Sequence, residues 1–157
     1  MRAAALIMLA LCALPLPAQT LDVRLQCSQT LLENGDGERL ILADQGRFVL
    51  DGTQIKELNW ESSQLRRDHG HECSIDLDDE PQAEVTETGW RISLRDAVTA
   101  RAKRGYDYDR GYRCSIRLER DGALLHIKPS CPALCGARKN FTALTVKLDD
   151  GTCRYDE

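Results

Sequence analysis

Residues 114–128 read CSIRLERDGALLHIK, and this stretch decides the fold. Cys114, Ile116 and Leu118 alternate with Ser115, Arg117 and Glu119, the period of a strand with one buried face. Arg120, Asp121 and Gly122 follow, and Asp-Gly between two alternating apolar runs is the strongest short-range hairpin signal. Leu125 and Ile127 then return on the apolar side. Further on, Leu144, Val146 and Leu148 alternate with Thr145 and Lys147, which predicts a long closing strand. Asp149, Asp150 and Gly151 turn that strand into residues 152–155. Between hairpin and closing strand, Cys131 and Cys135 enclose three residues and precede Gly136. That spacing predicts a stapled corner whose glycine supplies a positive φ or a close backbone approach.

Upstream the same alternation recurs in shorter pieces. Val23, Leu25 and Cys27 share one face against Arg24 and Gln26. Asn34 to Gly37 is a strong turn signal. Residues 39–43 and 47–50 flank Asp44, Gln45 and Gly46, a pattern that predicts a hairpin. Asp51 and Gly52 end it, and Leu58 and Trp60 open another strand. Residues 61–70 are polar and predict a loop. Cys73, Ile75 and Leu77 alternate with Ser74, Asp76 and Asp78, up to a stop at Asp79, Glu80 and Pro81, where proline cannot supply a ladder donor. Trp90, Ile92 and Leu94 form a further half-buried strand. Short strands with Gly and Asp turns between them predict a mainly β fold, a small antiparallel sandwich or barrel stapled by disulfides. The alternative is α+β, with one short helix in the region 96–103.

The N-terminus has another character. Arg2 precedes a nearly unbroken apolar run from Ala3 to Leu16, closed by Pro17 and Ala18. That is the pattern of a secretory signal peptide, too short for a membrane span, with cleavage expected after Ala18. The expected mature part, residues 19–157, has the length of a single β-rich, disulfide-bonded domain. It retains Cys27, Cys73, Cys114, Cys131, Cys135 and Cys153 and loses Cys12. An even cysteine count in an exported chain predicts full pairing, and six cysteines allow 15 connectivities. Each bridge contributes about 2–4 kcal/mol. The formal net charge is −4, and one unit more negative without Arg2. This balance argues against nucleic acid or anionic lipid as the main partner and permits a cationic protein. The expected location is the periplasm or the exterior, with no membrane span.

Several of these residues carry a resemblance. Gly70, His71 and Cys73, a Cys-x-Ile hairpin beginning at Cys114, and Cys131-x-x-x-Cys135-Gly136-Ala137-Arg138 ahead of Phe141 and Leu144 follow one another in order. Together, from about Trp60 to Val146, they resemble small exported Gram-negative proteins grouped with the lysozyme-inhibitor lipoproteins. The chain departs from that class in lacking a lipobox, because Leu11 before Cys12 is large. Cys27 and Cys153 look like a pair additional to the class. The resemblance implies an envelope location and inhibitor activity, and it supplies no catalytic residues.

Other constellations are weaker. His69, His71 and Cys73 at alternate positions would share a strand face and offer two imidazoles and a thiolate to zinc. Taking Cys73 as a ligand, however, leaves an odd number of cysteines in an oxidising compartment. Asp76, Asp78, Asp79 and Glu80 concentrate hard oxygens, yet lack the glycine and distal glutamate of an EF-hand loop. As the densest acidic group they are instead a candidate partner-binding surface. Tyr106, Tyr108 and Tyr112, interleaved with Arg and Asp, are the competing one, since tyrosine and arginine concentrate at binding hot spots. Cys131 and Cys135 lack the two-residue spacing of thioredoxin-like motifs. His126 falls on the outward side of its hairpin without a nucleophile beside it. The sequence contains no nucleophile elbow, zinc-protease helix or phosphate loop. No catalytic residue, metal or cofactor is therefore expected. The expected function is a non-enzymatic binding protein, an inhibitor or immunity factor for a cell-wall hydrolase. The alternatives are an envelope hydrolase using paired carboxylates and a structural or assembly factor.

Overall fold

The computed structural model describes residues 19–33, 37–94, 114–130 and 140–156. Strands β1 (Thr20–Glu33), β2 (Glu38–Asp51), β3 (Gln54–Leu65) and β4 (Gly70–Asp76) form an antiparallel meander in chain order. A 3-10 turn, Leu77–Asp79, leads into the second sheet. There β5 (Pro81–Val85), β6 (Gly89–Leu94), β7 (Ser115–Asp121), β8 (Leu124–Pro129), β9 (Leu144–Lys147) and β10 (Cys153–Tyr155) pair with their sequence neighbours, again antiparallel. The protein is thus mainly β, two open meanders packed as a sandwich and not closed into a barrel. The helix considered for 96–103 lies outside the described residues, as do Tyr106, Tyr108, Tyr112, Cys131 and Cys135.

The alternation expected of each strand is realised as burial. Leu21, Val23, Leu25 and Cys27 in β1 are buried, and the residues between them are exposed. Phe48, Leu50, Leu58, Trp60 and Ile75 extend that inner face across the first sheet. Trp90, Ile92, Ile116, Leu118, Leu125, Ile127, Leu144 and Val146 supply the opposing one, with Leu94 half-buried against it. Trp60 stands at the centre, edge-on to Phe141 with ring centroids 4.7 Å apart and to Phe48 at 6.1 Å. Such arrangements add to what area burial alone contributes. The Trp90 indole reaches across the sandwich and donates to the carbonyl of Gly52 at 2.8 Å.

Two expected elements are corrected. Asp44, Gln45 and Gly46 are not a turn, because β2 runs through them unbroken. Gly46 pairs with Trp60, and a Cβ on it would lie 2.4 Å from the carbonyl oxygen of Asn59. The glycine is required by close packing across the sheet and not by chain reversal. Likewise 61–70 is not one loop. β3 continues to Leu65, and Ser62 and Gln64 point into the sandwich as buried polar residues. The closing strand β9 is also shorter than its alternation predicts. In contrast, the Asp121-Gly122 turn is as expected, with Gly122 at φ 57°.

The sheets join at their edges as well as through their faces. Thr152 forms a parallel bridge with Gln26, and Cys27 is disulfide-bonded to Cys153 with Cα atoms 5.3 Å apart. This is the pair singled out as additional in the sequence. Cys73 and Cys114 are each in a disulfide as well. Thiol labelling of denatured, unreduced protein followed by peptide mapping should therefore leave Cys27, Cys73, Cys114 and Cys153 unmodified; label on any of them would refute the pairing. Gly46→Ala should cost about 1–3 kcal/mol in a urea titration, because the new methyl must displace backbone on β3. A midpoint equal to wild type would show that the strands separate more easily than this packing implies.

Candidate functional site

The outward side chains of the first sheet form its candidate binding surface. In consecutive cross-strand rows they are Asp22, Val49 and Glu57, then Arg24, Arg47, Asn59 and Asp76. Gln26, Gln45, Glu61 and Ser74 follow, and then Ser28, Ala43, Ser63 and Glu72. Carboxylates outnumber cations across these rows. Arg47 is held by Asp22 through two contacts of 3.2 Å and by Glu57 at 3.1 Å, and Gln45 donates to Glu61 at 2.5 Å. The surface is shallow. Its depressions share Gln45 and Glu61 and do not close into a cavity.

Toward the β1–β2 and β3–β4 turns the same face becomes apolar. Leu32, Ile41 and Leu65 are 73%, 37% and 39% exposed. Ile41 and Leu65 are register partners. They border a groove of about 600 Å³ rimmed by Glu38, Arg39, Arg66, Arg67 and Asp68. Exposed aliphatics gathered in one place, with a charged rim, have the composition of a protein-contact surface. Sequence reading missed this end because it placed residues 61–70 in a loop and so did not align Leu65 with Ile41.

The acidic group at 76–80 is divided between the interior and the surface. Asp79 is fully buried, and its carboxylate accepts from the backbone N–H of Asp76 at 3.1 Å. The Asp76 carboxylate in turn accepts from the N–H of Asp78 at 2.8 Å. This reciprocal capping box closes the 3-10 turn between the sheets, with Glu80 in the left-handed region at φ 48°. Only Asp78 and Glu80 of the four are exposed, so the group does not act as one acidic patch.

The histidines are similarly placed. His71 lies in β4, whereas His69 precedes the strand, with the two rings 5.9 Å apart. Cys73 is committed to a disulfide. Among the described residues no group of three or more His, Cys, Asp or Glu is arranged to hold a metal ion. His126 does have a neighbour: its Nδ1 is 3.0 Å from the Thr145 hydroxyl, which donates to Asp156 at 2.6 Å. Because the hydroxyl proton is given to Asp156, the hydroxyl oxygen accepts from His126. Nucleophile activation needs the reverse order, with histidine taking the hydroxyl proton.

One carboxylate lies in the interior. Asp44 is 3% exposed; it accepts from the Trp60 indole at 2.8 Å and from the Tyr155 hydroxyl at 2.9 Å, with Ser62 also hydrogen-bonded to it. Burial raises its pKa above the ordinary carboxylate value, and the donors from Tyr155, Ser62 and Trp60 oppose that rise without cancelling it. Burial and the facing carboxylate push the Tyr155 hydroxyl upward as well.

Comparison with protein-family models, with curated proteins and with solved structures finds no match for this chain. Among the described residues no helix is long and apolar enough to cross a membrane.

Asp44 makes a signed prediction. Its folded pKa is raised, so the folded state holds a proton that the unfolded state releases at lower pH. Its contribution to stability is therefore present below the unfolded carboxylate pKa and is lost as pH rises through the folded value. Glu119 and Asp150, both lowered, act with the opposite sign at acid pH. Stability against pH should thus be compared between wild type and Asp44→Asn, a difference that isolates this group. The variant should lack the decline above pH 4; parallel curves would show that Asp44 does not titrate in that window.

Proposed function

We propose that this chain is an exported, non-enzymatic binding protein of the periplasm or cell exterior, acting on a cationic protein. A cell-wall hydrolase, which the protein inhibits or against which it confers immunity, is the partner favoured by the resemblance in the cysteine pattern. The observation that carries the reading is the outer face of the first sheet. There the exposed cluster of Leu32, Ile41 and Leu65 adjoins rows in which Asp22, Glu57, Glu61, Glu72 and Asp76 exceed Arg24 and Arg47. Apolar anchors supply contact free energy, and the carboxylate-rich rows beyond the Arg39, Arg66 and Arg67 rim steer a cationic partner during approach. The face is built on strands of 12 to 14 residues in β1 to β3, so the anchors sit on a rigid platform. Asp78 and Glu80 lie at the sheet-to-sheet turn and belong to the acidic surround. Tyr106, Tyr108 and Tyr112 remain candidates for the partner's contact on chemical grounds alone.

Binding of the protein to a panel of lysozyme-type hydrolases, followed in real time, tests this. Ile41→Asp combined with Leu65→Asp should accelerate dissociation on the order of tenfold or more, as loss of a packed anchor does. Glu61→Gln with Glu72→Gln should slow association and reduce its salt dependence, with little effect on dissociation. Failure of the wild-type protein to bind or inhibit any member of the panel would remove the hydrolase reading.

A further inference from the structure

The opposite surface of the sandwich gathers cations into one cross-strand row. On the outer face of the second sheet Glu84 pairs with Arg91, Arg91 with Arg117, and Arg117 with Lys128, one from each of four adjacent strands. The next row is Glu119, His126, Thr145 and Arg154. With the row of Asp121 and Lys147, and with Asp156 bonded to Thr145, this face holds Arg91, Arg117, Lys128, Lys147 and Arg154 against Glu84, Glu119, Asp121 and Asp156, and three of its cations are gathered in the Arg91–Arg117–Lys128 row. The whole chain is nevertheless net negative at −4.

Three cations directly opposite one another on neighbouring strands are destabilising, since side chains in register stand about 4.5–5.5 Å apart. Neutralisation within the face is incomplete. Among the described residues Glu119 serves both Lys128, at 2.6 Å, and Arg117, at 3.7 Å. Arg91 opposes Glu84 and directs its Nε to the Ser115 hydroxyl at 3.4 Å. The Arg117 and Lys128 side chains remain 59% and 39% exposed. A row of this kind is stabilised by an anion laid along it, and guanidinium forks suit carboxylate, sulfate or phosphate groups.

We propose that this face binds an extended anionic glycan, a polysaccharide with carboxylate, sulfate or phosphate groups repeated along its chain. The strands are about 5 Å apart, so the row offers repeating charges to a repeating polymer across a flat surface. The two rows contain no tyrosine, tryptophan or phenylalanine on which nucleobases would stack, and no aliphatic side chain to enter a bilayer. This site is separate from the first sheet's outer face and does not rest on the hydrolase reading.

The test titrates the full chain with polygalacturonate and with heparin at increasing salt, beside single-stranded DNA and phosphatidylglycerol vesicles. Wild type should bind at least one of the two glycans, and more tightly than DNA or vesicles, with affinity falling as salt rises. The triple variant Arg91→Gln, Arg117→Gln, Lys128→Gln should lose on the order of tenfold or more at low salt and show a flatter salt dependence. Lys56→Gln, a cation of the first sheet, should bind like wild type. Melting curves establish that the triple variant is folded. If it is not, Arg91→Gln and Lys128→Gln singly carry the test, each lowering the slope of log affinity against log salt by about one. Absence of binding to both glycans, unchanged binding by the variants, or tighter binding to DNA or vesicles would overturn the proposal.

Discussion

Asp44 is a carboxylate set in an apolar interior, and much of the sandwich is arranged around it. A buried carboxylate without partners would cost several kcal/mol. Here it accepts from Trp60 on β3 and from Tyr155 on β10, so its contacts come from both sheets. Each sheet is a meander that satisfies most of its own backbone hydrogen bonds, and the interaction between sheets is largely apolar and non-directional, the Trp90 bond to Gly52 and the Gln26–Thr152 bridge being directional exceptions. The Tyr155 contact defines which residue of β10 lies over which residue of β2. Cys27 is the register partner of Asp44, so the disulfide to Cys153 fixes the same place from the neighbouring strand. The covalent link restricts the unfolded chain over a separation of 126 residues. The Asp44 contacts select among the packings that link would still allow.

The glycine two residues on follows from the same arrangement. Gly46 faces Trp60 across the β2–β3 pair, and the carbonyl next to that indole comes closer than any side chain at 46 would permit. Trp60 therefore sits opposite a residue without a side chain and presents its N–H to Asp44. Ser62, one row further along, supplies a hydroxyl to Asp44 and accepts from the backbone N–H of Phe141. Asn140 donates to the Ser62 carbonyl at 2.6 Å, which draws the chain entering β9 onto the first sheet and seats Phe141 against Trp60. A polar residue, a small residue and two aromatics thus form one packing unit.

That unit is also where local sequence is a poor guide. Asp44, Gln45 and Gly46 have the composition of a turn, and Ser62 to Gln64 that of a loop, because their partners lie on β3, β10 and the 140–141 segment. Nothing within a few residues of Asp44 announces Tyr155, 111 positions away. By contrast, Cys114 to Ile127 and Trp90 to Leu94 are legible, since apolar alternation and an Asp-Gly turn are local signals that agree with the final packing. The acidic cluster at 76–80 lies between these cases. Its composition is plain in the sequence, yet the burial of Asp79 depends on the chain crossing from one sheet to the other at that point.

Net charge shows the same limit on a larger scale. A total of −4 is a sum over the whole chain, so it describes neither the carboxylates of the first sheet nor the cation row of the second. A partner approaching from a distance beyond about 10 Å at moderate salt senses little of the far face, because the Debye length is that short. The carboxylate-rich first sheet and the Arg91–Arg117–Lys128 row therefore act as independent surfaces, held apart by the thickness of an apolar core about 10 Å deep. A sandwich whose interior is filled by Trp60, Trp90, Phe48 and Phe141 presents its two outer faces to partners. Strand alternation lets those two faces differ in charge without disturbing the core between them, since each outward residue alternates with one already committed to packing.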